Sequence, residues 1–385
     1  MRNYIDLTDI VYIATAQDEE IKRSRLKEKD VLLTITGSYG KSAVVPRSLI
    51  DANINQHSVK ITLKENINPY FLSTFLNSKY GKFQSDKNIV GITRPALDYE
   101  AIKNFIIPNA PKKFQSHIET IILESEKTNI QSQQLYRQAE ELLLENIGLK
   151  NFKPSQENKN IKTLKESFLK TARLDAEYYQ PKYEEIITKV KEKKFELLGN
   201  LVKIEKSIEP GSDAYSEDGV PFVRVSDYNK FGILKPEKCL SQIFCKENKS
   251  LIEKLYPKKE TILFSKDGSV GIAYMLLNDI EAVTSGAILH LIVKNKKVIL
   301  PEYLTLVLNS QIIQQQAERD AGGSVIAHWL VNEIQKAVIP LIDHKIQTEI
   351  ADLVNKSFAL RQESEKLLEQ AEKSVEEKIE NSKQF

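Results

Sequence analysis

Hydrophobic and polar positions along this chain run through the same order twice. Residues 31–45, VLLTITGSYGKSAVV, alternate short β-rich runs with glycines. Residues 262–275, ILFSKDGSVGIAYM, repeat the pattern, with Gly37 and Gly40 falling on Gly268 and Gly271 at an offset of 231. At an offset of 232, the amphipathic stretch PYFLSTFLNS (69–78) matches PEYLTLVLNS (301–310). At that same offset Gly91 pairs with Gly323, Ile102 with Ile334, Ile107-Pro108 with Ile339-Pro340, and Gln115 with Gln347. Upstream, IDLTD (5–9) matches VRVSD (223–227) at 218, so the second copy carries an insertion of thirteen. Repetition at this scale defines the organisation before any fold is argued. Each copy predicts a compact mixed α/β domain of short strands between Gly, Asn and Asp turns, then a helix and an Ile-Pro strand end.

Each copy ends in a long polar helix, expected over 112–146 and 344–379. Their apolar positions keep a heptad frame that puts Ile118, Ile121, Leu135 and Leu142 of one helix, and Ile350, Leu353, Leu360 and Leu367 of the other, on a helix-pair interface. Small residues recur in that frame at Ser125, Ser132 and Ala139, and at Ser357, Ser364 and Ala371, which lets two helices approach closely. Neither seam is uniformly large, so each helix is expected to need packing partners. Between the copies, KNFKPSQENKNIK (150–162) reads as a linker.

The stretch LLTITGSYGKSAVVP (32–46) imitates a phosphate-binding loop, and a nucleotide hydrolase using Lys41 is one alternative function. The spacing argues against it, because Ile35 stands where that motif needs glycine. Ala43, Val44, Val45 and Pro46 follow, where a helix should open on the phosphates. The second copy also replaces Lys41 with Ile272, so the shared element is a Gly-Ser-x-Gly turn.

Composition narrows the class further. A chain of 385 residues with 41% hydrophobic side chains has room for two or three real cores. Its 55 basic and 53 acidic residues leave a net charge of +2, which excludes a polycation but permits local basic surfaces. Cys239 and Cys245 are too few for a disulfide framework or a four-cysteine zinc site. The N-terminus lacks an apolar signal core and no run approaches a membrane span, so a soluble cytoplasmic protein without membrane partners is expected. No cluster of residues suggests catalysis, and neither a catalytic site nor a metal site is expected.

RLDAEYYQPKYEEI (173–186), GVPFVRVSDY (219–228), IQKAVIPLIDHKIQTEI (334–350) and ENIGLKNFKP (145–154) resemble the DNA-specificity (S) subunit of type I restriction-modification systems. The resemblance covers nearly the whole chain. It implies an α/β (α+β) tandem repeat, in which two target recognition domains are separated by an antiparallel pair of long coiled-coil helices. The expected divisions are a first recognition domain at 1–111, N-terminally incomplete, a central helix at 112–149 and a linker at 150–165. A second recognition domain at 166–343 and a C-terminal helix at 344–385 follow. The resemblance further implies a non-catalytic subunit, each domain reading one half of a split double-stranded DNA target. The helices would set the spacer and dock two DNA methyltransferase subunits, which carry S-adenosylmethionine, alongside motor-nuclease subunits. A coiled-coil scaffold that binds no DNA is the other alternative. The second copy has about fifty residues before Val223 and the first has four before Ile5. Either the first domain is shortened, or the coding start lies upstream, or another chain completes it.

Base readout calls for polar side chains on loops where the copies differ, because the two halves of an asymmetric target differ. In the first copy this selects Tyr39, Lys41, Asn55, Gln56 and Arg94. In the second it selects Arg224, Ser226, Lys266, Ser285, His328 and Trp329, a tryptophan being more often a core or partner-facing aromatic.

Overall fold

The computed structural model describes residues 3–5, 10–64, 67–91, 95–323 and 325–381. Its chain forms two compact units, residues 1–132 with 359–385, and residues 133–358. Each unit takes in part of both long helices, which run over Lys112–Ile147 and His344–Glu380.

In the first unit, β1 (Val31–Thr34) lies between β2 (Ser42–Val44) and β3 (Ser58–Ile61), antiparallel to both. The period of two divides its side chains between the two faces of the sheet. Val31 and Leu33 join Phe71, Leu72 and Phe75 of α1 (Pro69–Asn77), whereas Leu32 packs with Leu26 and Val45. Asn68 caps α1, its Oδ1 accepting from the N–H of Tyr70 at 2.9 Å, and Pro69 supplies the preset first φ. At the other end Asn77 holds both the N–H and the C=O of Ser42 at 2.9 Å, pinning α1 to β2. Helix α2 (Lys79–Asn88) follows.

The second unit contains α3 (Pro181–Lys191), β4 (Phe195–Leu197), β5 (Val202–Lys206), β6 (Tyr215–Ser216), β7 (Val220–Val223) and β8 (Lys238–Leu240). After them come β9 (Ile262–Ser265), β10 (Ala273–Met275), β11 (Val283–Thr284), β12 (Ile288–Val293), α4 (Pro301–Asn309), α5 (Gln311–Asp320) and β13 (Val338–Pro340). The sheet β10-β9-β12-β5 repeats β2-β1-β3 and adds β5 at its edge. A second sheet has the order β11-β7-β8-β6, and β13 pairs with β4.

Repetition extends to individual hydrogen bonds. Asn309 holds the N–H and C=O of Ala273 at 3.0 and 2.8 Å, as Asn77 holds Ser42. Gln347 accepts from the N–H of Leu300 at 3.0 Å, as Gln115 accepts from Asn68 at 2.7 Å. Amide side chains that satisfy backbone groups on two elements fix geometry more strictly than apolar contacts do.

Within the first unit, Ile118, Ile121 and Ile122 of the first long helix share a core with Leu368, Ala371 and Val375 of the second. Ser125 and Ser364 meet there, each hydroxyl donating to the other's backbone carbonyl at 2.7 and 2.9 Å. Within the second unit, Tyr136, Ala139, Leu143 and Ile147 share a core with Ile350, Val354 and Phe358. The small residues predicted for the seam are all buried, as are Ile118, Ile121 and Ile350, but at 135, 142, 353 and 367 the buried large residue lies one position later than the heptad reading placed it. Tyr136, Leu143, Val354 and Leu368 are buried, while Leu135, Leu142, Leu353, Leu360 and Leu367 stand half-buried on its shoulder. Spacing by four then three, as in 118–122–125 and 132–136–139, satisfies the 3.6-residue turn equally well, and periodicity could not choose between the two.

His290 on β12 is 4% exposed, with Nε2 2.8 Å from the hydroxyl of Thr284. Burial pushes its pKa down to about 4, against about 6.5 in an unfolded chain. Between these values the unfolded chain takes up a proton that the folded unit refuses. Its contribution is therefore complete above about pH 6.5 and is lost as pH falls toward 4, roughly 3 kcal/mol in all. The urea midpoint of the wild type is expected to fall across that window more steeply than that of His290→Gln. Equal slopes would show that this histidine is not responsible.

Candidate nucleic-acid interface

The candidate residues of the first unit gather at one end of its sheet. β1 leaves that end through the turn 35–41, β2 begins there, and residues 55–57 lead back into β3. Thr34 organises the turn by donating from its hydroxyl to the Ser38 carbonyl at 2.7 Å, while the Gly40 N–H donates to the Thr34 carbonyl at 2.8 Å. Gly37 and Gly40 have φ of +66° and +78°, the left-handed values that glycine adopts without a Cβ clash. Ser265, Gly268 and Gly271 rebuild the same turn in the second unit, with φ of +74° and +86° at the glycines. Ser42 therefore opens a strand paired with β1 rather than a helix, which removes the phosphate-loop geometry and the hydrolase reading with it.

Lys41, Asn55 and Gln56 are exposed at this end. The Asn55 side chain accepts from the His57 N–H at 3.0 Å, and the Thr36 hydroxyl hydrogen-bonds the His57 ring. Tyr39 is held from α2, its hydroxyl donating to Asp86 at 3.0 Å while Lys82 lies 5.6 Å from its ring centre. Lys82 and Asp86, spaced i,i+4, form an ion pair at 3.1 Å. Thr36, His57 and Lys82 escaped the sequence reading, although that i,i+4 spacing beside a turn aromatic was a signal for the last. Arg94 lies outside the described residues.

In the second unit the equivalent end is built from the turn 266–272 and a small hairpin in which Gly322 and His328 exchange backbone hydrogen bonds of 3.0 and 2.7 Å. The Gly268 N–H donates to the Ala327 carbonyl at 2.9 Å, joining the two. His328 is exposed, with Nδ1 2.8 Å from Asp267, which also pairs with Lys266. Val325 and Ile326 project from the hairpin into solvent.

Two candidates are corrected by burial. Trp329 is 1% exposed, its ring lies 5.9 Å from that of Phe264, and its backbone N–H donates to the Lys266 carbonyl at 2.8 Å. It supports the end from beneath and cannot reach a base. Ser285 is 7% exposed and its N–H donates to the Val223 carbonyl at 2.9 Å, so it belongs to the sheet. Arg224 is half-buried, donating to Asp227 through Nε at 3.0 Å and to Glu237 through Nη2 at 2.9 Å, so two carboxylates already neutralise it. Those bonds raise its pKa further. Ser226 is exposed, and its hydroxyl faces the same Asp227 at 3.1 Å. Among the described residues, no three His, Cys, Asp or Glu are grouped to hold a metal ion, and no helix is long and apolar enough to cross a membrane.

Two copies of one scaffold, each presenting a different polar set at the same end, define a tandem-repeat protein. The family model for the type I restriction modification DNA specificity domain matches residues 7–141 and 190–373, and the chain belongs to that family. It is 29% identical over 105 residues to the type I restriction enzyme EcoBI specificity subunit of Escherichia coli, a match spanning 27% of this chain and 22% of that subunit. Among solved structures it is similar to the S subunit of the type I restriction-modification system of M. genitalium (14% identity, 90% and 83% of the two chains, TM-score 0.40). It is also similar to the HsdS subunit of Thermoanaerobacter tengcongensis (14% identity, 91% and 80%, TM-score 0.33).

Proposed function

We propose that this chain is the DNA-specificity subunit of a type I restriction-modification complex, each unit reading one half of a bipartite duplex target. Its support is one juxtaposition within a repeated turn. Where the first copy carries Tyr39 and Lys41, the second carries Val270 and Ile272 on the same backbone geometry. A shared scaffold with unlike side chains at its loop end suits an asymmetric target, because base edges are told apart by donor, acceptor and methyl pattern. Lys41 is assigned to phosphate, and Asn55 and Gln56 to adenine edges. Chemistry resides on partners, two methyltransferase subunits holding S-adenosylmethionine and the motor-nuclease subunits.

Equilibrium binding to duplex DNA at graded salt tests this reading. Affinity is expected to fall linearly on a log–log plot, with Lys41→Ala shallower by about 0.9, one phosphate contact. The purified chain without partners is expected to transfer no methyl groups. No association with duplex DNA at any salt concentration would favour the scaffold that binds no DNA.

A further inference from the structure

Each unit carries a hairpin beside its glycine turn, and the two hairpins share a stem but not a tip. In the first unit Val90 pairs with Ala96, and Ala96 also bridges Thr36 of the turn. In the second, Gly322 pairs with His328, and His328 also bridges Asp267. An offset of 232 carries one stem onto the other, and Gly91 and Gly323 leave it with φ of +92° and +117°. A Cβ on Gly323 would collide with the Ile326 carbonyl oxygen, so the second hairpin is closed too tightly for any other residue there. At the tip the copies part. The sequence has Thr93 and Arg94 in the first copy at the places of Val325 and Ile326 in the second. Val325 is 93% exposed and Ile326 is 53% exposed.

Single exposed apolar residues are ordinary on a protein surface. Here two in succession stand on a stem fixed by backbone hydrogen bonds, at the end of the sheet assigned above to DNA. Two side chains cover far less than the roughly 800 Å² per partner of a stable protein interface. They match something smaller. On the base edges of the major groove the distinctive apolar group is the C5-methyl of thymine. A β-branched side chain is stiff at χ1 and loses little freedom on meeting it. We propose that Val325, with Ile326 beside it, is a specificity-determining residue that reads a thymine methyl in the half-site of the second unit. This assignment rests on the DNA-reading function proposed above. It supplies a base contact that Trp329 and Ser285, being buried, cannot make. The unlike tips also extend the contrast between the copies, since Arg94 offers hydrogen bonds where Ile326 offers none.

The test titrates the full chain, assembled with its methyltransferase subunits, against duplexes carrying the mapped methylation motif, each specified thymine replaced in turn by uracil. That exchange removes one methyl and leaves every hydrogen-bonding group of the base in place. At one position or more, uracil is expected to weaken wild-type binding about fourfold, the effect of one methyl group returned to water. Val325→Ser, at a site too exposed to disturb folding, is expected to bring the thymine-to-uracil ratio at one such position to about one. Val325→Ile, which keeps the apolar contact, is expected to retain the penalty there. A motif that specifies no thymine on either strand, or specific binding indifferent to every uracil, would overturn the proposal. So would uracil penalties that all persist in Val325→Ser. A Val325→Ser/Ile326→Ser variant that loses its methyltransferase subunits would make the tip a protein contact, also against the proposal. Failure of the DNA reading itself looks different: the wild type would then bind the motif duplex no better than a scrambled one, and this assignment would fall with it.

Discussion

Exchanging residues 176–340 for the matching segment of another family member is expected to change one half of the methylated motif and leave the other half intact. The boundaries follow from pairing. A cut at the start of β7 would leave β5 and β4 of the host facing foreign partners, whereas β5–β12 and β4–β13 are the registers that close this unit. Starting at 176 moves α3, β4 and β5 together with the sheets they complete. Each mismatched base pair costs roughly 1–3 kcal/mol, so a half-site altered at about three positions loses roughly 3–9 kcal/mol. That loss is enough to erase recognition of the old sequence. Mapping methylated sites in a host that carries the chimera and its methyltransferase reads the outcome directly. If both halves changed, or neither did, the units would not be independent readers.

Local signals in the sequence carried much of this architecture. Gly37 and Gly40 against Gly268 and Gly271 marked a turn because positive φ constrains residue type, and the structure places all four there. Gln115 and Gln347, paired by offset in the sequence, make the same hydrogen bond in both copies. What failed depended on distant partners. Nothing near Trp329 signals that Phe264 lies under it, and Ser285 is buried because Val223, sixty-two residues earlier, runs beside it. Part of the seam of the long helices slipped by one residue for a related reason, while Ile118, Ile121 and Ile350 are buried as read. Leu135 and Tyr136 are both credible seam residues, and only the neighbours around Tyr136, Phe231 at 5.2 Å and Phe358 at 6.4 Å between ring centres, decide which is buried.

Ser364→Leu is expected to be among the most damaging single substitutions in the first unit, although it replaces a small polar residue with a good helix former. Ser364 is 2% exposed and Ser125 is fully buried. Their hydroxyl oxygens lie 2.9 Å apart, and each also reaches the other's carbonyl, so the helix backbones touch where leucine would have to stand. Tyr4 closes the space from the sheet side, its hydroxyl bonded to Ser125 and 3.2 Å from Ser364. Overpacking of this kind costs about 1–3 kcal/mol. Losing the reciprocal bonds adds about 1 kcal/mol, which makes the total comparable to a large share of a domain's stability. Ser364→Ala removes the bonds without the bulk, and is expected to cost about 1 kcal/mol. The double alanine variant should cost less than the sum of the singles, because no hydroxyl is left without its mate. Amide exchange separates the units: protection over 31–34 should fall in Ser364→Leu while protection over 262–265 persists. The specificity readout follows from the same asymmetry, with the half-site of the first unit degraded and that of the second retained. Equal loss of protection in both units would mean that the helix pair melts as one body. Wild-type protection at 31–34 would mean that the serine contact is not where the first unit is held together.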